Sequence, residues 1–538
     1  MAQAIKTRTG GHLVAETLEG LGAEVTFGLP GVHALAIWEG LRTSGVRALG
    51  FRTELDAGFA ADGYARVSGR PAPLLLSTGP GALISLAALM EAASSHGPVV
   101  AVSSQIPREL IGRGRGYLHE LPDQLASFAP IVKWAARAAA HESIPQVLAE
   151  AWRRALTPPS GPVYVEIPVD LLTGETDLPL PDLDVTPTAP PVPPVDEAAE
   201  LLSEAKAPVV WAGGGTLRSG AWDELVGLAE RLDAPVATTY MGKGAFPDDH
   251  PLAVGSGCDE GAFQELLESA DVLLCVGTEL GAETTGQYQL RPRGRIVQID
   301  AAPERIGASY DALGLVGDAK AVLAALNERN PARERHDGAE RAARTRERIA
   351  AGLTEQGREL ERSLLATIRS VVPRTGITAW DMTILAYWAA AHFPVYAPRT
   401  FLYPLGSGTL GYAWPGALGA ATARPDEAVV AVVGDGGFLY GLAELATGRQ
   451  HNCRVCLVVV DDGGYGILRE YQRDSFGETT AVDLERPDFR AVAESFGVAN
   501  ETVEPDELGG AIGRSLERDG PSLVHVPALL EMWTPTAR

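Results

Sequence analysis

Asp435 and Asp462 lie 27 residues apart, each at the end of an apolar run and each set among glycines. Val433-Gly434-Asp435-Gly436-Gly437 closes one run and opens a helical pattern; Val455 to Val460 forms the next, ending in Asp461-Asp462-Gly463-Gly464. One strand–helix–strand unit thus delivers two acids to neighbouring parallel strand ends beside a helix N-terminus. Open α/β sheets hold phosphates and their metal at such ends. Carboxylate and phosphate oxygens are the hard ligands that Mg²⁺ prefers, so the pattern points to a clamp for a Mg²⁺-bound diphosphate. An aspartate at a strand end is also a common turn former, and either acid alone would read that way.

Two nucleotide motifs fail on spacing. A GxGxxG fingerprint starting at Gly434 would need a third glycine where Leu439 stands, and the Gly213-Gly214-Gly215 run meets Arg218 there. Gly242-Lys243-Gly244 lacks the Ser or Thr that must follow the lysine of a Walker loop.

The elements that must position these groups alternate between helix and strand, as in parallel sheets. Leu13–Leu21 reads as helix, Glu24–Phe27 as strand, Arg47–Arg52 as strand and Glu54–Val67 as an alanine-rich helix. The proline-rich run 186–195 is a stiff, extended linker. A second α/β block runs from about Asp196 to Asn327, with strands near Pro208–Trp211, Val272–Val276 and Arg295–Ile299. Residues 331–363, dense in Arg, Glu and Ala, read as a solvated connecting helix. A third block from about Thr375 to Pro527 echoes the first. The fold class expected is α/β, three doubly wound parallel-sheet domains.

A formal charge of −24 disfavours nucleic acid and anionic membrane surfaces as partners. No 18-residue apolar run is present, and Met1 to Gly10 lacks the apolar core of a signal peptide. Four cysteines in 538 residues are no disulfide framework, so a cytoplasmic location is expected. Cys453 and Cys456 form a CxxC at a strand start, where positions three apart face opposite sides, a poor arrangement for metal or redox work.

The spacing of Asp435 and Asp462 resembles the metal-binding signature of thiamine diphosphate enzymes, a GDG followed one crossover later by a pair that is usually Asn-Asn. The resemblance extends over essentially the whole chain and is nearest to the acetolactate synthase-like branch, within the acetolactate synthase, pyruvate oxidase and benzoylformate decarboxylase family. It implies that Asp435, Asp462 and the Gly464 carbonyl bind Mg²⁺. Gly434, Gly436, Gly437, Tyr465, Gly466 and Ile467 would surround the diphosphate. Asp461-Asp462 stands where Asn-Asn is typical, keeping the oxygen ligand and adding negative charge, which shifts pH and metal preference.

Two further segments match. Phe51-Arg52-Thr53-Glu54-Leu55-Asp56 leads into Ala61-Asp62-Gly63-Tyr64-Ala65-Arg66, which places Glu54 as the carboxylate that activates the cofactor's pyrimidine ring. Thr53 stands where relatives often carry His. Leu405-Gly406-Ser407-Gly408-Thr409-Leu410-Gly411 supplies Leu410 as the apolar wedge under the cofactor and the Gly408 carbonyl as acceptor for its amine.

Three of the ten histidines fall at family active-site positions. His33 corresponds to the active-site His of benzaldehyde lyase. His96, in Ser95-His96-Gly97-Pro98, resembles the proton-relaying His of benzoylformate decarboxylase. His119 matches a Gln of acetolactate synthases. Such groups suit proton transfer near neutral pH, although a lone loop histidine is more often a surface group.

Leu468 stands where pyruvate decarboxylases carry Glu, which argues against plain acetaldehyde production. Gly112-Arg113-Gly114-Arg115-Gly116-Tyr117-Leu118-His119-Glu120 is similar to a segment of decarboxylases of arginine-derived 2-oxo acids.

The implied domains are pyrimidine-binding (1–185), linker (186–195), middle Rossmann-like (196–330), connecting helix (331–374) and diphosphate-binding (375–538). The implied activity is decarboxylation of a 2-oxo acid, with the product released as an aldehyde or joined to a second carbonyl. The alternatives are a lyase cleaving a 2-hydroxy ketone or 2-hydroxyacyl thioester, and a non-catalytic subunit. FAD in the middle domain stays open, but no residue pattern asks for it. Self-association as dimer or tetramer, with active sites at the interface, is implied as well.

Overall fold

The computed structural model describes residues 8–330 and 337–536. The readings of the first seven residues and of 331–336 lie outside the described residues. Runs such as Ala72–Leu76, Val272–Val276 and Val429–Gly434 are apolar and buried along almost their whole length. Strands of that kind suit parallel sheets covered on both faces.

Three six-stranded sheets result, and every pairing in them is parallel. The first runs Arg47–Gly50, Val25–Gly28, Ala72–Leu76, Val99–Gln105, Val163–Pro168, Trp134–Arg137. The second runs Leu313–Val316, Arg295–Asp300, Val272–Val276, Val209–Ala212, Val236–Thr238, Ala253–Gly255. The third runs Phe401–Leu402, Ile377–Trp380, Val429–Gly434, Cys456–Asp461, Ser522–Pro527, Ala499–Thr502.

By its contacts the chain divides into two units. One takes the residues up to Thr188 with Gly406–Pro425 and Gly441–Cys453; the other takes Ala189–Leu405, Asp426–Tyr440 and everything from Arg454 on. In the first unit, helix Ala413–Ala423 lies directly on helix Glu54–Ser68. The approach is so close that a Cβ at Gly63 would sit 2.2 Å from the Gly416 oxygen, and one at Gly419 1.9 Å from the Ala60 oxygen.

Residues 186–195 hold neither helix nor strand, and a helix begins at Asp196. Instead of one solvated connecting helix, two follow, Gly338–Glu355 and Glu359–Val371, separated at Gly357 with φ +65°. Each buries an apolar stripe, Ala342, Ile349 and Leu353 in one and Leu364, Leu365 and Ile368 in the other. Most of the charges stay on the outer face, while Arg341 and Glu361 are buried with the stripes.

All four cysteines are free and buried. Burial pushes the Cys453 thiol up to about 11 and the Cys456 thiol up to about 12. No helix among the described residues is long and apolar enough to cross a membrane.

Candidate functional site

In the third sheet Gly434 pairs with Val460, so Asp435 leaves its strand level with Asp461. Successive strand residues face opposite ways, and this separates Asp461 from Asp462. Asp461 turns to the neighbouring strand, where its carboxylate accepts from His525 Nε2 at 3.0 Å and from Arg486 at 2.5 Å. Burial opposes ionisation of Asp461, but these two partners win and hold it below the usual carboxylate range.

At Asp435 and Asp462 the compensation is weaker, and the charges of Arg486 and Arg469 offset burial only in part. Asp435 is buried, and neither of its carboxylate oxygens has a hydrogen-bond partner among the described residues; the same holds for Asp462 Oδ1. Burial, then the charges of Asp462 and Asp461, pushes Asp435 up to about 7, and burial pushes Asp462 up to about 6. Buried acceptors left without donors are costly unless a cation fills the gap. No cluster of three His, Cys, Asp or Glu side chains suited to a metal occurs among the described residues. A hard cation here would complete its shell with backbone and ligand oxygens, as Mg²⁺ does on phosphates. The residues present fit a Mg²⁺-diphosphate.

The loop after Asp462 is shaped for this role. Gly464 has φ +146°, and a Cβ there would fall 2.1 Å from the Val482 oxygen. Tyr465 N donates to Val482 O and Leu484 N to Gly463 O, which ties the loop to 482–484. A Cβ at Gly466 would lie 1.9 Å from Asp462 Oδ2, and one at Gly436 2.7 Å from the Tyr465 ring. The carboxylate and the ring thus occupy the space that these glycines leave, and Ile467 is buried just beyond.

The N-terminal unit holds Glu54 at the start of its helix, where Thr53 caps by accepting from Asp56 N at 3.1 Å. Glu54 is buried, and burial raises its carboxyl above the usual range. Glu444 accepts from Arg52 N at 2.8 Å and Thr53 N at 3.2 Å, fixing the entry to the helix.

His33 and His119 meet edge to face with ring centroids 5.3 Å apart, and Tyr117 stands 5.8 Å from His33. Neither Nδ1 has a hydrogen-bond partner among the described residues. Burial, then the neighbouring His119, lowers the His33 pKa. His96 is not brought to this pair. It ends helix Leu86–Ser95 in a left-handed turn, with Nδ1 3.1 Å from the Ser160 carbonyl.

A segment with no role in the sequence reading, Ser77–Gly81, packs beside Gly31, His119 and Glu54. A Cβ at Gly31 would strike Ser77 Oγ at 2.2 Å, one at Gly79 the His119 oxygen at 2.7 Å, and one at Gly81 Glu54 Oε1 at 2.6 Å. Ser77–Gly81 is the common support of His33, His119 and Glu54.

The loop carrying Gly408 and Leu410 is anchored at both ends. Buried Glu91 accepts from Ser407 N at 2.7 Å and Ser407 Oγ at 2.8 Å. Tyr412 donates to Asp62 at 2.8 Å and accepts from Arg66 at 3.1 Å. Leu410 is half-buried and Gly408 exposed. Glu91 escapes notice in sequence because an isolated acid in Leu86–Ser95 reads as a surface group.

Known proteins match along the whole length. Residues 8–127 match the N-terminal TPP binding domain of thiamine pyrophosphate enzymes, 195–326 the central domain and 381–526 the C-terminal TPP binding domain. A probable 2-ketoarginine decarboxylase of Pseudomonas aeruginosa is 34% identical, covering 97% of this chain and 95% of its own. A probable acetolactate synthase large subunit of Methanocaldococcus jannaschii is 33% identical over 96% of this chain and 91% of its own. The thiamine diphosphate-dependent 4-hydroxybenzoylformate decarboxylase of Rhodococcus jostii shares the fold with a TM-score of 0.85 at 24% identity, over 97% of this chain and 100% of that one. With all three domains matched and relatives above 30% identity over nearly the whole chain, the chain belongs to the thiamine pyrophosphate enzyme family, in the branch of the acetolactate synthases and 2-oxo acid decarboxylases.

Proposed function

We propose that this enzyme uses thiamine diphosphate and Mg²⁺ to remove CO₂ from a 2-oxo acid. The observation that carries the proposal is the pair of carboxylates Asp435 and Asp462 at adjoining strand ends, with both oxygens of buried Asp435 and Oδ1 of half-buried Asp462 left without a hydrogen-bond partner among the described residues. When bound, thiamine diphosphate supplies the carbon nucleophile and the electron sink for loss of CO₂.

The chain's own residues do the rest. Asp435, Asp462 and the Gly464 carbonyl hold the metal, while Gly434, Gly436 and Gly437 leave the diphosphate room. Glu54, its proton affinity raised by burial, holds a proton against the pyrimidine ring nitrogen. Leu410 would supply an apolar contact to the bound cofactor, and the Gly408 carbonyl would be available to accept a hydrogen bond from it. His33, whose burial and His119 neighbour favour its neutral form, and His119 would be placed to give and take protons with the bound substrate. His96 is given no step, since its ring is bound to the Ser160 carbonyl.

The relative described as a 2-ketoarginine decarboxylase makes 2-ketoarginine the first substrate to try. A second outcome, joining the decarboxylated fragment to another carbonyl, is favoured by Leu468. This side chain is apolar and 45% exposed and offers no acid for rapid protonation.

Purified enzyme given thiamine diphosphate and Mg²⁺ should act on a 2-oxo acid panel, with and without acceptor aldehydes, and the products should be read by mass spectrometry. An aldehyde or a ligated 2-hydroxy ketone is expected, lost on EDTA treatment and restored by Mg²⁺. Turnover that EDTA leaves untouched would overturn the metal assignment.

Self-association as a dimer or tetramer is part of the proposal. Val32, Leu35 and Leu118, which flank the histidine pair, are 64%, 55% and 59% exposed, an apolar face that a second copy would cover.

A further inference from the structure

Gln124 opens the short helix Gln124–Phe128, capped by Asp123, and is completely buried. Its amide is divided between two settings. Oε1 accepts the Gly79 N–H at 2.7 Å. Nε2 faces the Ser104 carbonyl at 3.1 Å, Tyr164 Oη at 2.8 Å, Glu166 Oε2 at 3.3 Å and Ser103 Oγ at 3.4 Å. Several acceptors on one side and an N–H donor on the other leave a single way round for the carboxamide. Glu166 is itself fully buried and bound to the Arg137 guanidinium, so its charge is compensated and it stays an acceptor.

The far end of this network is the turn beneath the candidate catalytic groups. Gly79 has φ +66° and carries the backbone of His119. Two residues on, Gly81 abuts Glu54 Oε1, and two residues back, Ser77 fills the space beside Gly31. We infer that Gln124 is a positioning residue whose amide, locked by Glu166, Tyr164 and Ser104, fixes the Ser77–Gly81 turn and thereby sets Glu54, His33 and His119 relative to one another. The inference rests on the proposed roles of Glu54 and the histidines and adds a group that touches neither substrate nor cofactor.

Substitution separates this role from mere packing. Gln124→Met keeps length and shape but leaves the Gly79 N–H and the facing acceptors without their partner. Gln124→Glu keeps the acceptor for Gly79 but sets a carboxylate against Glu166 in a buried site, which is costly. Combining Gln124→Glu with Glu166→Gln reverses the polarity of the pair, restores one donor and one acceptor, and keeps one negative charge near Arg137.

The readout that needs no substrate is exchange of the C2 proton of bound thiamine diphosphate with D₂O, alongside cofactor affinity and kcat. The Met variant should bind thiamine diphosphate and Mg²⁺ within about threefold of wild type, because Asp435 and Asp462 are untouched, while C2 exchange and kcat fall about tenfold or more. The Glu variant should fall further, and the double variant should recover to within about threefold, a coupling that additive effects cannot give. Wild-type exchange in the Met variant overturns the inference. So does a double variant no better than Gln124→Glu, a comparison that decides even if the Met variant fails to fold. If wild type exchanges C2 but turns over no 2-oxo acid, the decarboxylase reading fails while exchange still tests Gln124.

Discussion

At the scale of single residues, the two neighbouring aspartates of the diphosphate motif have opposite fates. Asp461 is satisfied by His525 and Arg486 and held in its ionised form. Asp462, one pleat further, is left with an oxygen that no donor meets. The extra charge relative to an Asn-Asn pair therefore falls on the residue proposed as a metal ligand. Asp462→Asn should still bind thiamine diphosphate but should weaken Mg²⁺ half-saturation by about tenfold, the equivalent of ~1.4 kcal/mol. Titration calorimetry with Mg²⁺ checks this, and equal affinity for the two proteins would show that Asp462 contributes no charge to the metal. Spacing singled out Asp435 and Asp462 in the sequence and the family resemblance singled out Glu54, because strand ends and a helix start are local features. Gln124 and Glu91 were not, because each matters through partners distant in sequence, Gly79 and Glu166 in one case and Ser407 in the other.

At the scale of elements, helix Glu54–Ser68 begins over a buried acid pair. The Asp56 and Glu444 carboxyls face each other electrostatically, and burial, then the Glu444 charge, pushes Asp56 up to about 8. An unfolded aspartate titrates near about 3.9. The folded state therefore holds this proton more tightly, so the group's stabilising contribution, full below about pH 4, is lost as pH rises toward 8. Asp56→Asn keeps the shape and removes the titration. Its melting temperature should gain on wild type between pH 5 and pH 8, by about 2 °C or more at the upper end. Parallel melting curves at both pH values would mean that the carboxyl is ionised in the fold. The pattern of apolar runs located strands such as Val209–Ala212 and Val272–Val276 in the sequence because buried parallel strands are continuously apolar. It misread 331–363 as one solvated helix, since the break at Gly357 and the buried stripes of Gly338–Glu355 and Glu359–Val371 depend on tertiary contacts.

At the scale of the whole molecule, the three parallel sheets and the three matched domains define an enzyme of the thiamine pyrophosphate family. The exposed apolar face of the N-terminal unit predicts a species of at least twice 56.6 kDa in sedimentation. A paired Val32→Asp and Leu35→Asp change should shift that species toward monomer and abolish turnover with the fold intact; an active monomer would refute shared sites. The central claim is that Glu54 drives a thiamine diphosphate- and Mg²⁺-dependent decarboxylation. It is tested most directly by CO₂ release from a 2-oxo acid panel, with wild type and Glu54→Gln compared at equal cofactor occupancy. Wild type should release CO₂ from at least one 2-oxo acid and Glu54→Gln at least about 100-fold more slowly; equal rates, or no CO₂ from cofactor-loaded wild type, would contradict the account.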